Sequence, residues 1–247
     1  MLEKYYYDFH IHSCLSPCAD DDMTPNNIAG MATLKGLHVL ALTDHNSCKN
    51  CPSFFKACKK QGIIPIAGAE ITTAEDIHAV CLFPTLETAM EFDEALASYK
   101  IPFKNDEEIF GSQLIMDEED NVVGHEEMLL INATSLDIES LWDFAHGFDA
   151  LVYPAHIDRE ANGIVSVLGT LPKTPEFTAF EFHFADRVDE YRSRFDFLSD
   201  KPIVISSDAH FLWDINEADN FIEILSDTYS SSLIRNKIFS YLRGDNI

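Results

Sequence analysis

The sequence predicts an α/β chain built on a largely parallel, barrel-like sheet. Seven short strand-like runs alternate with helix-like ones, the pattern of strand–crossover–strand units. The length, 247 residues, is common for a single α/β barrel. Apolar residues make up 46% and charged residues 24%, enough for a sizeable core beneath a charged surface. Seven runs instead of eight point to an incomplete or distorted barrel, with an open sheet as the alternative. The chain reads as a single domain over 1–247, interrupted by an insertion at about 101–132.

Taken in order, Tyr5–His10 reads as the first strand, aromatic and apolar and running into a polar loop. Met23–Lys35 reads as a helix with Thr24 as N-cap, Pro25 at the first helical position and Gly36 ending it. Val39–Leu42 is a short buried strand, Pro52–Lys60 a helix closed by Gly62, and Ile63–Ala67 a third strand. Ile77–Phe83 is a fourth apolar run, and Leu86–Tyr99 has helical periodicity. In the insertion, Ser112–Met116 and Asn121–Val123 flank the acidic turn Asp117–Asp120, which predicts a hairpin. Then follow helix Leu136–His146, strand Ala150–Tyr153, a helical stretch Ala161–Leu168, strand Phe177–Phe182, helix Arg187–Leu198, strand Pro202–Ser206 and a closing amphipathic helix Ser230–Arg243.

The charge narrows the function. With 42 acidic against 17 basic residues the net charge is −25, a field that repels nucleic acid backbones and argues against a long nucleic acid partner. It also repels a small phosphate unless bound cations invert the field locally. No apolar run approaches a membrane span. The N-terminus has no signal-peptide pattern, so the expected location is the cytoplasm. The six cysteines, at 14, 18, 48, 51, 58 and 81, are expected as thiols.

Polar clusters follow directly on the strands. His10-Ile11-His12 follows the first, Asp44-His45 the second, Glu70 the third, Asp208-Ala209-His210 the last, and His156 follows Ala150–Ala155. In parallel α/β sheets the loops at the carboxyl ends of strands converge on one crevice, so these distant clusters are expected to meet. In extended backbone, positions two apart point the same way, so His10 with His12, and Asp208 with His210, can each chelate one ion. Imidazole with carboxylate suits zinc, manganese or iron. A lone histidine at a strand end is more often an ordinary hydrogen-bonded residue, and it is the repetition across strands that carries the metal reading.

The segments DFHIHS, LTDHN, GAE with the following IHAVCLF, PAHIDR and SSDAH resemble, in order, the motifs of the PHP (polymerase and histidinol phosphatase) family, from Asp8 to His210. The resemblance is to its stand-alone phosphoesterases. It implies a distorted (β/α)7 TIM-like barrel and a trinuclear metal centre. Carried over residue by residue, His10, His12, Glu70 and Asp208 would hold one ion. Bridging Glu70 with His78 and His156 would hold a second, and His45 and His210 a third. Asp44 would stand behind His45 as an orienting or proton-accepting carboxylate. Cys18 falls where some members carry a histidine ligand to the third ion, and Asp20 lies two residues on. His78 opens its strand instead of ending it, so its place rests on the resemblance alone.

The expected function is a metal-dependent phosphoesterase that hydrolyses a small phosphorylated metabolite through two or three divalent ions. Arg159, three residues after His156, is the candidate phosphate clamp, a surface ion pair with Glu160 or Asp158 being the plainer reading. Two alternatives stand beside this. One is a nuclease or exonuclease on single-stranded nucleic acid, against which the charge counts, apart from the small basic patch Lys56–Lys60. The other is a non-enzymatic metal or redox sensor in which Cys14, Cys18, Cys48 and Cys51 meet above the sheet.

Overall fold

The structure is a computed structural model that describes residues 2–225 and 230–245. Its elements in chain order are β1 (Leu2–Asp8), α1 (Pro25–Leu34), β2 (Val39–Leu42), α2 (Cys51–Gln61), β3 (Ile64–Thr72), β4 (His78–Phe83) and α3 (Leu86–Leu96). Then come α4 (Glu107–Phe110), β5 (Leu114–Met116), β6 (Val122–His125), α5 (Ile138–His146), β7 (Leu151–Pro154), α6 (Ile164–Leu168) and β8 (Phe180–Phe182). The chain ends with α7 (Val188–Arg194), β9 (Ile203–Ile205), β10 (Phe221–Leu225) and α8 (Ser231–Leu242). Thr24 caps α1 by accepting from the Asn27 N–H, and Gly62 ends α2 with a left-handed φ of 75°.

Six strands form one sheet in the order β10-β1-β2-β3-β4-β7, while β8 and β9 form a parallel pair. β1, β2 and β3 are parallel to one another. β4 departs from the expected all-parallel pattern. It returns from β3 through a tight turn and pairs antiparallel with both β3 and β7. β10, unread in the sequence, pairs antiparallel with β1, and its alternating burial shows one face covered. The sheet is thus a curled, mixed α/β sheet. Backbone bonds beyond the strand ends link it to the β8–β9 pair: Ile157 N–H to the Glu181 carbonyl (2.9 Å) after β7, and, around a parallel bridge between Ile11 and Ala209 after β1, His12 N–H to the Ala209 carbonyl (3.0 Å) and Ala209 N–H to the His10 carbonyl (3.4 Å).

Alternation along the strands divides the apolar residues into two cores. Val39, Ile64, Ile66, Val80, Leu82 and Tyr153 fill the concave side, where Ile234, Ile238, Phe239 and Leu242 of α8 join them. Leu40, Leu42, Ala69, Cys81 and Phe83 face outward and pack with the helices. α8 sits at the amino ends of the strands, with Arg235 reaching the Pro65 carbonyl at 3.4 Å. The concave side is therefore plugged at one end and lined with polar residues at the other.

The stretch 101–132, expected as an insertion, contains the hairpin that its turn pattern suggests. Its hairpin pairs β5 with β6, and it docks on the loops that follow β1 and β2. Leu114 N–H reaches the Cys14 carbonyl at 2.8 Å, Asn46 Nδ2 reaches the Leu130 carbonyl at 2.6 Å, and Thr24 Oγ1 donates to Asp120 at 2.8 Å. Among the described residues, no helix is long and apolar enough to cross a membrane.

Candidate metal centre

Glu70 is the centre of the site. It continues the concave-facing series Ile64-Ile66-Gly68, so alternation aims its carboxylate at the polar end of the cavity, where it is fully buried. Five imidazoles surround it. His10 Nε2 lies 3.3 Å from Oε1, His78 Nδ1 2.9 Å and His156 Nε2 3.1 Å, while His12 Nε2 at 3.3 Å and His45 Nδ1 at 3.1 Å face Oε2. Asp208 Oδ1 stands 3.1 Å from His12 Nε2 and 3.4 Å from His10 Nε2.

The reversed direction of β4 explains His78. A strand running opposite to β3 begins where β3 ends, so the residue that opens β4 sits beside Glu70, with Thr72 opposite His78 in the register. The clusters on β7 and β9 arrive by sharp turns instead. His156 and Asp208 have φ values of 29° and 54°, a left-handed region that non-glycine residues rarely occupy and that gathers at functional sites. Beyond that turn His210 Nδ1 lies 3.8 Å from Asp208 Oδ1, although the two fall in different candidate ligand groups. Three groups of side chains bring their ligand atoms within 4.8 Å of one another: His10, His12, Glu70 and Asp208; His45, Glu70 and His78; and His12, His45 and His210. His45 therefore belongs to two groups, and His156 joins none of the three, its Nε2 meeting the shared Glu70 carboxylate at 3.1 Å.

Outer residues hold these rings. Glu181 Oε1 lies 2.8 Å from His10 Nδ1 and accepts from the His156 N–H at 3.0 Å. Asp44 stands behind His12 and not behind His45, contrary to the expectation. Its carboxylate accepts from Ser13 N and Oγ at 2.7 Å and from Ser16 Oγ at 2.8 Å, and Ser16 Oγ lies 3.0 Å from His12 Nδ1. With the Nδ1 proton of His10 and of His12 given to these partners, each Nε2 lone pair faces the cluster. Ser13 and Ser16 were not singled out in the sequence, where serines beside a histidine pair carry no distinguishing signal.

The electrostatics match a site made for cations. Burial alone would drive the His10 and His12 pKa values down, but Glu70 and Asp208, with Glu181 beside His10, outweigh it. His10 is held well above the usual imidazole value and His12 at about 9. Burial and the charge of His12 push His45 well below that value and His210 to about 4. Burial acts upward on Glu70 and Asp208, yet neighbouring imidazoles hold both below the usual carboxylate range. Without metal, then, the carboxylates are balanced by protons on two histidines. Glu70 Oε2, His45 Nδ1 and His156 Nδ1 are buried without a hydrogen-bond partner. Borderline imidazole with hard carboxylate, densely packed and incompletely bonded, fits divalent ions such as zinc, manganese or iron.

Arg159 points at the cluster. Its guanidinium pairs with Asp208, not with Glu160 or Asp158, and it lines a pocket of about 600 Å³ beside the site together with His183 and Phe211. Cys18 sits exposed on that pocket's rim but joins no ligand group, and neither does Asp20. The four cysteines do not gather at one point: Cys48 and Cys51 neighbour each other, buried against the Gly68 carbonyl, while Cys14 reaches the Leu114 carbonyl. Among the described residues, no group of three ligand atoms includes a cysteine sulfur. The Lys56–Lys60 patch stays exposed and reaches the hairpin's acidic turn, Lys56 Nζ donating to Glu118 Oε1 at 2.8 Å and Lys60 Nζ to the Glu118 carbonyl at 2.7 Å. Trp213 is exposed outside the pocket lining.

Fold and cluster together define a class, the metal-dependent hydrolases of phosphate esters. Within it the chain belongs to the PHP domain family, whose pattern matches residues 8–167. The structure is similar to the lesion-specific endonuclease Q of Pyrococcus furiosus, with a TM-score of 0.68 and 21% identity over 100% of this chain and 57% of that one. It is also similar to a candidate metal-dependent phosphoesterase from Bifidobacterium adolescentis, with a TM-score of 0.56 and 16% identity over 95% of this chain and 98% of that one. In sequence, 77 residues are 34% identical to an error-prone DNA polymerase of Symbiobacterium thermophilum. That stretch is 31% of this chain and only 7% of the polymerase.

Proposed function

We propose that this chain hydrolyses a small phosphomonoester at a centre of two or three divalent ions. The observation that carries the reading is Glu70, a buried carboxylate shared by two of three overlapping ligand groups. His10, His12, Glu70 and Asp208 would hold one ion, His45, Glu70 and His78 a second with His156 at its edge, and His12, His45 and His210 a third. Bound there, the ions would lower the pKa of attacking water and neutralise phosphoryl oxygens.

The chain's own residues do the rest. Glu181 and the Asp44–Ser16 pair orient His10 and His12. Arg159, half-exposed and paired to Asp208, would be free to turn its planar fork to two phosphoryl oxygens if a cation took that carboxylate. The pocket beside the cluster receives the alcohol portion. We also read β1, β2, β3, β4, β7, β8 and β9, linked by the backbone bonds beyond their strand ends, as a distorted (β/α)7-type barrel. The six cysteines are free thiols, in agreement with a cytoplasmic location.

The second reading, a nuclease, is favoured by the likeness to endonuclease Q over the whole chain. Against it, the insertion on the rim carries nine acidic residues and one lysine between 101 and 132, a wall that repels a polyanionic strand. The metal-loaded protein is expected to release phosphate from small phosphomonoesters and to leave single-stranded and lesion-bearing DNA intact. Cleavage of DNA with no phosphate release from the small esters would reverse the ranking.

A further inference from the structure

Asn46 follows the ligand His45 and takes a left-handed φ of 48°. Asparagine tolerates that region better than most residues, and glycine better still, so the turn alone does not call for this side chain. Asn46 is buried, and its amide is used close to capacity. Nδ2 donates to the Leu130 carbonyl at 2.6 Å and to the Asn132 carbonyl at 2.9 Å, while Oδ1 accepts from the Thr72 N–H at 3.1 Å. These partners stand 84, 86 and 26 residues away in the chain. An asparagine that only permits a turn bonds its own neighbourhood; this one bonds three distant segments.

Those segments meet at the second ligand group. The Asn46 N–H donates to the Glu70 carbonyl at 2.8 Å, and His45 and Glu70 form a parallel bridge. Thr72 ends β3 opposite His78. Its carbonyl accepts from Thr134 N at 2.8 Å and from Thr134 Oγ1 at 3.0 Å, and Thr134 is fully buried. Residues 130–134, by which the chain leaves the insertion, are therefore held by Asn46 on one side and by Thr72 on the other. One amide fastens the loop that carries His45, the strand end that places Glu70 beside His78, and the return of the insertion.

We propose that Asn46 is a positioning residue for the His45–Glu70–His78 group and couples that group to the docking of the insertion. The proposal rests on the reading of that group as an ion site. Coupling of this kind is reciprocal. The bonds that hold the insertion in place keep His45 and His78 in range of one ion, and an ion that fixes those rings also holds the insertion down.

The test is Asn46→Gly, which keeps the left-handed turn and deletes all three amide bonds. Digestion by a glutamate-specific protease, mapped by mass spectrometry, reads the insertion with and without saturating zinc. Zinc is expected to slow cleavage within 101–132 about tenfold in wild type and less than about twofold in Asn46→Gly. A cobalt titration followed by visible absorption should show one ion held about tenfold more weakly in the variant. Thr134→Val removes one bond on the far side of the same segment and should move both readouts the same way by less. If Asn46→Gly does not fold, Thr134→Val decides. Wild-type protection and wild-type cobalt affinity in the deciding variant overturn the proposal. A wild type that binds ions without protecting its insertion also overturns it, and leaves the metal centre standing. A wild type that binds no ion overturns the proposal and the ion reading together.

Discussion

Glu70 sits among five imidazoles with no water-facing surface, so its charge is what the site is organised around. Glu70→Gln keeps the shape and removes the charge. The substitution is expected to strip bound metal and to lower kcat by about a thousandfold or more, read by elemental analysis and phosphate release. His12→Ala or Asp208→Ala should abolish hydrolysis while circular dichroism reports an intact fold, and full turnover in either purified, metal-loaded variant would falsify the assignment. Glu181 bonds His10 directly and Asp44 reaches His12 through Ser16, and both carboxylates are buried. Asp44→Asn and Glu181→Gln should weaken metal binding roughly 10–100-fold, and an unchanged affinity in both would show that His12 and His10 need no such anchoring. At this scale the sequence is informative for the ligands, because histidines and carboxylates recur at strand ends. It is silent on Ser13 and Ser16, whose value lies in reaching Asp44 across about thirty residues, a proximity only the fold creates.

At the scale of elements, the turn into β4 matters most. The sequence marks Ile77–Phe83 as apolar but not its direction, because period and composition are the same for a strand running either way. Direction is decided by the short link from β3, which leaves no room for a crossover helix. That reversal places His78 beside Glu70. β10 went unread although its alternation is present, since a five-residue edge strand following a loop competes with many similar stretches. The insertion is anchored where Gly111, at φ 95°, passes Pro17; a Cβ there would lie 2.3 Å from the Pro17 carbonyl oxygen. Gly111→Ala is therefore expected to cost about 2 kcal/mol or more and to expose 101–132 to limited proteolysis. Denaturation and digestion identical to wild type would mean the insertion does not depend on this contact.

For the whole molecule, the balance of −25 and the cluster's titration govern behaviour together. In the metal-free protein His12 is raised from 6.5 to about 9. A raised folded pKa gives stability that is fully present below the unfolded value and lost as pH climbs through the folded one. Between pH 6.5 and 9 the loss from this group is on the order of 3 kcal/mol, or roughly 5–10 °C in Tm for a chain this size. On the acid side, His45 and His210 lie below 6.5 and the carboxylates Glu70 and Asp208 below their usual range, so stability also falls as pH drops toward 4. Saturating metal replaces the protons on His10 and His12, and the alkaline loss should vanish; an equal alkaline loss with and without metal, followed by thermal scans, would contradict this charge balance. The α/β class and the barrel-like curl were legible from alternating runs, whereas the mixed strand directions were not. The central claim is that the fold collects several cations at Glu70. Elemental analysis of purified wild type beside Glu70→Gln tests it most directly: the account predicts two or three divalent ions per chain in wild type and their loss in the variant, and a wild type that binds none at saturating zinc, manganese or iron would contradict it.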